Sequence, residues 1–169
     1  MKKLTALLLA LILGLALAAP ALAIEAQYDN TKVFTTMLDD MEVPYTITGI
    51  DDDKDEGVKI QDYNDLISYT IFCFFSEDNE TVSFRIWNFA EYDILNRAQA
   101  LEAVNNLNAR YKFASWYADE SDNSFNLRMD VIVRKDAEVR EITLEALLRL
   151  INILKDGYPM IEPLAVTAE

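Results

Sequence analysis

Histidine is absent from the 169 residues, and cysteine occurs once, at Cys73. The first absence removes the common general base, the usual zinc ligand and every Ser-His or Cys-His nucleophilic pairing. The second removes redox pairs, thiolate metal sites and any internal disulfide. Only four glycines occur and none cluster, so no loop can cradle a phosphate. Basic residues are scarce as well: 15 Lys and Arg stand against 29 Asp and Glu, for a net charge of −14. Such a chain repels a nucleic-acid backbone, whose binding needs Lys and Arg to displace counterions, and it is equally ill suited to an anionic membrane surface.

What is present begins with a leader. Lys2 and Lys3 precede an apolar run from Leu4 to Ala19, Pro20 interrupts it, and Ala21-Leu22-Ala23 offers the small-x-small site of signal peptidase. The run, roughly 15 residues, falls short of the ~20 that span a bilayer as a helix. The sequence therefore predicts a signal peptide over residues 1–23, cleaved before Ile24, and an exported protein, periplasmic or extracellular. A retained N-terminal anchor is the competing reading. Removing these 23 of 169 residues takes away two lysines and no acid, leaving 146 residues at a net −16. That is the size of one domain, assigned to residues 24–163, with residues 164–169 as a loose tail.

Along this domain, Val33, Phe34, Met37, Leu38 and Met41 fall on one helical face of residues 30–43, with Asp29 or Asn30 as cap and Pro44 as stop. Strands are predicted at Tyr45–Ile50, around Val58-Lys59-Ile60, from Leu66 to Phe75, and from Val82 to Trp87. Both faces of the third are mostly apolar, which suggests a strand covered on both sides. A helix starting at an Asn96/Gln99 capping box is expected to turn Leu101, Val104, Asn108 and Tyr111 inward. Two strands follow, Phe113–Ala118 and Phe125–Val133. A last helix is capped by Thr143, carries a stripe of Leu144, Leu147, Leu148, Ile151 and Leu154, and is closed by Gly157 and Pro159. Short polar turns make neighbouring strands antiparallel, so the predicted fold is α+β: a twisted antiparallel sheet of about five strands with three helices packed on it.

The stretch Asn105-Asn106-Leu107-Asn108, leading through Tyr111-Lys112-Phe113 into Trp116-Tyr117-Ala118-Asp119, resembles the N-x-L-N helix and strand of the YbjN family. The N-terminal helix with its Tyr-containing strand, and the closing Gly157-Tyr158-Pro159, extend the resemblance over most of the domain. It implies an α+β fold similar to the chaperones of type III secretion, which act by dimerising and holding another polypeptide. It implies no cofactor and no catalytic residues, and its members are described as regulators of sensory transduction.

Three groups of residues are candidate sites. Arg85, Trp87 and Phe89 share the strand parity opposite to Val82, Phe84 and Ile86 and, with Tyr92, form an aromatic surface for a partner if no helix covers that face. Asn105 and Asn108 lie on one helix face, where they either secure the helix-to-strand connection or contact a ligand. Asp51, Asp53 and Asp55 alternate as in a calcium loop, although Glu56 stands where such loops need glycine. Asp130 lies between Met129 and Val131, but its parity points it to solvent. The expected function is thus an exported, non-enzymatic interaction domain, regulatory or chaperone-like, whose partner is another polypeptide or a second copy. The alternative is a weak calcium- or small-ligand-binding protein.

Overall fold

The computed structural model describes residues 24–63, 67–133 and 139–166. The predicted leader lies outside the described residues, as do the expected strand start at Leu66 and the tail after Val166. The order of elements is α1 (Asp29–Asp40), β1 (Tyr45–Ile50), β2 (Glu56–Tyr63), β3 (Ser68–Phe75), β4 (Thr81–Glu91), α2 (Arg97–Arg110), β5 (Ser115–Asp119), β6 (Ser124–Ile132) and α3 (Val139–Gly157). All six strands join one sheet in the order β1-β2-β3-β4-β6-β5, antiparallel throughout. This is the expected α+β fold with one more strand, because Val58-Lys59-Ile60 grows into the full β2, paired along its length with β3.

Strand alternation decides where the core sits. Val58, Ile60, Ile71, Cys73, Phe75, Val82, Phe84, Ile86, Leu127 and Met129 are buried on one face of the sheet. Phe34 of α1 lies 5.1 Å from Phe75 and 6.3 Å from Phe84, ring centroid to centroid. Leu147, Leu150 and Leu154 of α3 and Val104 and Leu107 of α2 are buried in the same core. The three helices therefore share one face, and among the described residues the other face of the sheet carries none. This corrects the expectation that β3 is covered on both sides. Cys73, fully buried at the centre, has its thiol pushed up by burial and is inert.

The helices begin differently from their sequence signals, although α3 ends at Gly157 as expected. Tyr28 caps α1 without a side-chain bond. Instead the Glu56 carboxylate, fully buried, accepts the N–H groups of Gln27 (2.7 Å) and Tyr28 (2.8 Å), placing negative charge at the helix's positive end. Asn30 is drawn inward to the β3–β4 turn, bonding the backbone and side chain of Asn79. Asn96 caps nothing; Asp93 accepts the Leu95 N–H one turn earlier. On α2 the buried residues are Ala100, Val104 and Leu107, so the inward stripe is rotated from the predicted one. Thr143 sits inside α3, bonded back to the Val139 carbonyl, and Leu148 is exposed while Leu150 and Ile153 are buried.

Both edges of the sheet and the C-terminus complete the frame. On β5, Asn108 of α2 accepts the Trp116 N–H (2.7 Å) and donates to the Trp116 carbonyl (2.8 Å), taking the backbone groups that point away from β6. Among the described residues nothing pairs with the outer side of β1. Ala165 forms a bridge with Tyr92, and the Val166 N–H donates to the Glu91 carbonyl, so the chain as far as Val166 is fastened to β4 rather than loose.

Candidate functional site

The uncovered face follows from the register. A row across all six strands reads Thr46, Lys59, Phe72, Arg85, Arg128 and Ser115, each opposite the next. A second row places Phe74 opposite Ser83 and Ser83 opposite Asp130. Trp87, 39 % exposed, leans across both phenylalanines: its centroid is 4.8 Å from Phe72 and 5.6 Å from Phe74, at interplanar angles of 46° and 51°. The two phenyl rings are parallel, 6.4 Å apart. Three aromatic side chains thus make a ridged apolar cluster on a surface that no helix of the described residues covers.

Cations flank it. The Lys59 ammonium lies 5.0 Å from the Phe72 ring centroid, and the Arg128 guanidinium 5.9 Å from that of Tyr117. Arg85 pairs with Asp130 at 2.6 Å and also bonds the carbonyls of Phe84 and Met129. Desolvation pushes the Asp130 carboxyl up, but hydrogen bonds from Ser83 and Arg85, and the charges of Arg85 and Arg128, outweigh it and hold Asp130 below the ordinary aspartate range. Toward β1 the face becomes polar: Thr46, Thr48, Lys59, Gln61 and Thr70 line an open depression of about 700 Å³ that ends at Phe72.

The four residues predicted as a partner surface are divided. Arg85 and Trp87 lie on the open face. Phe89 and Tyr92 do not: the register slips between Ile86 and Ala90, with Asn88 at a φ of +49°, and this bulge turns the following side chains into the core. Phe89 meets Trp116 edge-on at 5.9 Å, and Tyr92 lies 5.1 Å from Phe125 with its hydroxyl on the Asp119 carbonyl. Sequence reasoning missed Lys59, Phe72, Phe74 and Arg128, having given Phe72 and Phe74 to a second buried face. The signal was available in the polar partners Ser83 and Arg85, which mark that side of the neighbouring strand as solvated.

The other candidates stand apart from this face. Asn108 secures β5, as described, while Asn105 is exposed on α2. Asp51, Asp53 and Asp55 form the β1–β2 loop, where the Asp51 carboxylate accepts the N–H groups of Asp53 (3.0 Å) and Asp55 (2.9 Å). Burial first, then the charges of Asp51 and Asp53, pushes the Asp55 carboxyl up. Among the described residues no three His, Cys, Asp or Glu side chains converge as metal ligands, and Glu56 points into the protein to hold Gln27 and Tyr28.

Fold and face together define a two-layer α+β domain, its described helices on one side of a six-stranded antiparallel sheet and an aromatic, cation-bearing surface on the other. The chain belongs to the YbjN family, whose model matches residues 30–158 and carries the description "Putative bacterial sensory transduction regulator". No curated protein matches it. Among solved structures, the crystal structure of YbjN from E. coli is similar with a TM-score of 0.54 at 12% identity, covering 81% of this chain and 96% of that one. The HopA1-SchA chaperone-effector complex is similar with a TM-score of 0.49 at 11% identity, covering 82% of this chain and 99% of that one.

Proposed function

We propose that this chain is an exported, non-catalytic domain that holds a polypeptide against the open face of its sheet. The observation that carries the reading is the Phe72, Phe74 and Trp87 cluster, with Trp87 exposed over two half-buried phenylalanines where the described residues supply no covering layer. Isolated exposed apolar residues are ordinary, but a contiguous aromatic group rimmed by polar side chains marks an interaction surface. Binding rather than catalysis is supported by the absence of histidine, by the buried thiol, and by acids that cap loops or pair with Arg85 instead of sharing an apolar cleft. Export is supported by the leader: Lys2 and Lys3, the apolar run and the Ala21-Leu22-Ala23 site.

The test is capture of polypeptides by the purified chain, read by fluorescence and by size-exclusion chromatography with light scattering. Trp87→Ala is expected to weaken binding by at least tenfold, the effect of losing about 1.4 kcal/mol at an aromatic anchor, while leaving the far-UV circular dichroism unchanged. Undiminished binding by that variant, together with undiminished binding by Phe72→Ala, overturns the reading.

A further inference from the structure

Six of the described cations are neutralised within the molecule: Lys32 by Asp29, Lys54 by Glu77, Arg85 by Asp130, Arg97 by Glu120, Arg140 by Asp40 and Arg149 by Glu145. Among the described residues, Arg110, Lys112 and Lys155, all outside the sheet, form no such pair, and neither do two cations of the open face, Lys59 and Arg128. Lys59 and Arg128 each lie over an aromatic ring of that face, exposed, in the row that also holds Phe72 and Arg85; Arg128 also feels the charge of Asp130. No carboxylate stands in that row. The acids sharing its outward parity are Asp130, already tied to Arg85, and Glu91 and Asp119, near the turn where β5 meets β6. Lys59 and Arg128 thus set positive charge beside the Phe72, Phe74 and Trp87 cluster in a chain whose net charge is −14.

We infer that the occupant of this face is an acidic polypeptide segment, with carboxylates about four residues apart on either side of an apolar side chain. The inference rests on the polypeptide-binding reading above and adds the partner's chemistry. The spacing comes from the sheet: Lys59 and Arg128 are three strands apart, about 14 Å at ~4.8 Å per strand, which an extended chain covers in about four residues at ~3.3 Å each. Phe72 lies between them in the row, with Trp87 over it, so an apolar side chain between the two carboxylates meets the aromatic cluster. Attraction at this face, in a molecule of net negative charge, favours one docking orientation as well as one class of partner.

Two other anionic classes fit less well. A polysaccharide stacks on coplanar rings, whereas Trp87 is tilted by 46° and 51° to its neighbours and forms a ridge. An anionic bilayer presents charge over a far wider area than the face and meets the surrounding acidic surface as well.

The experiment titrates the purified chain, by Trp fluorescence and calorimetry, with a 12-residue peptide carrying Glu at every fourth position around Leu. The same peptide with Lys for Glu, polygalacturonate, and phosphatidylglycerol vesicles are the comparison arms. The acidic peptide is expected to bind, to weaken as salt rises, and to lose at least tenfold in affinity with Lys59→Glu/Arg128→Glu. Lys59→Gln/Arg128→Gln, which adds no repulsion, is expected to give a smaller loss. Equal binding of the Lys peptide, or full affinity in both double variants, overturns the acidic partner. If Trp87→Ala then abolishes both peptides, the polypeptide-binding reading survives alone. Binding of polygalacturonate or vesicles with the same charge dependence, in place of the acidic peptide, overturns the inference in favour of that class, and silence of both peptides overturns inference and reading together.

Discussion

Asn108 shows how much one side chain can do at the sheet margin. Its amide meets both the N–H and the carbonyl of Trp116, joining the end of α2 to β5 over a short connection. Asn108→Ala leaves those two backbone groups of β5 to find water, and chemical denaturation is expected to show a loss of about 1–3 kcal/mol. Amide hydrogen exchange at Trp116 is expected to accelerate more than at Leu127 on the neighbouring strand. Asp130 makes a smaller, pH-dependent contribution. Its folded pKa lies below the unfolded value near 4, so the stabilisation is present above that pH and is lost as pH falls through the folded value. The Asp130→Asn variant is expected to have a shallower acid limb in a stability-against-pH profile and no change in slope above neutrality. Because Asp130 is half exposed, the difference is small. Asn108 was legible in the sequence as a residue securing a sharp connection. The role of Glu56 was not, because its partners Gln27 and Tyr28 are 29 and 28 residues away.

At the level of elements, period-2 patterns translated well and helical stripes less so. β6 keeps the parity its sequence says, with Phe125, Leu127 and Met129 in the core, although Ser124 and Asn126 of the other parity are buried as well where they meet the β4 bulge. A helix can roll by part of a turn to satisfy its neighbours, which is why α2 buries Leu107 instead of Leu101 or Tyr111 and α3 buries Leu150 instead of Leu148. The β4 bulge was invisible for a related reason: strict alternation predicts Phe89 outward, and only the slip after Ile86 turns it inward. The end of α3 illustrates a packing constraint read from the sequence only as a stop signal. A Cβ at Gly157 would lie 2.4 Å from Trp116 Cζ2 and 3.1 Å from Leu107 Cδ2. Its φ of −90° is open to any residue, so the glycine is required by proximity and not by conformation. Gly157→Ala is expected to cost about 1–3 kcal/mol through displacement of the indole, seen as a lowered melting temperature and a changed near-UV spectrum.

For the whole molecule, the architecture is lopsided: the described helices and the apolar core fill one side of the sheet, and the aromatic cluster stands on the other. The fold class was readable because alternating polar turns and strands admit few topologies for six antiparallel strands. The candidate face was only half readable, since choosing the solvated side of β3 needs the register with β2 and β4 and cannot be taken from β3 alone. Export belongs to this scale too. If the leader is removed as proposed, N-terminal sequencing of the protein recovered from its native envelope or medium begins at Ile24; a chain beginning at Met1 in the cytosolic fraction would refute it.

The two margins of the sheet are unlike: β5 is blunted by an amide from α2, whereas among the described residues no backbone pairs with the outer side of β1. Lateral growth by backbone pairing therefore has a single direction open to it. Two molecules meeting β1 to β1 would use up the available margin on both, and the association would terminate as a pair instead of propagating into a fibril.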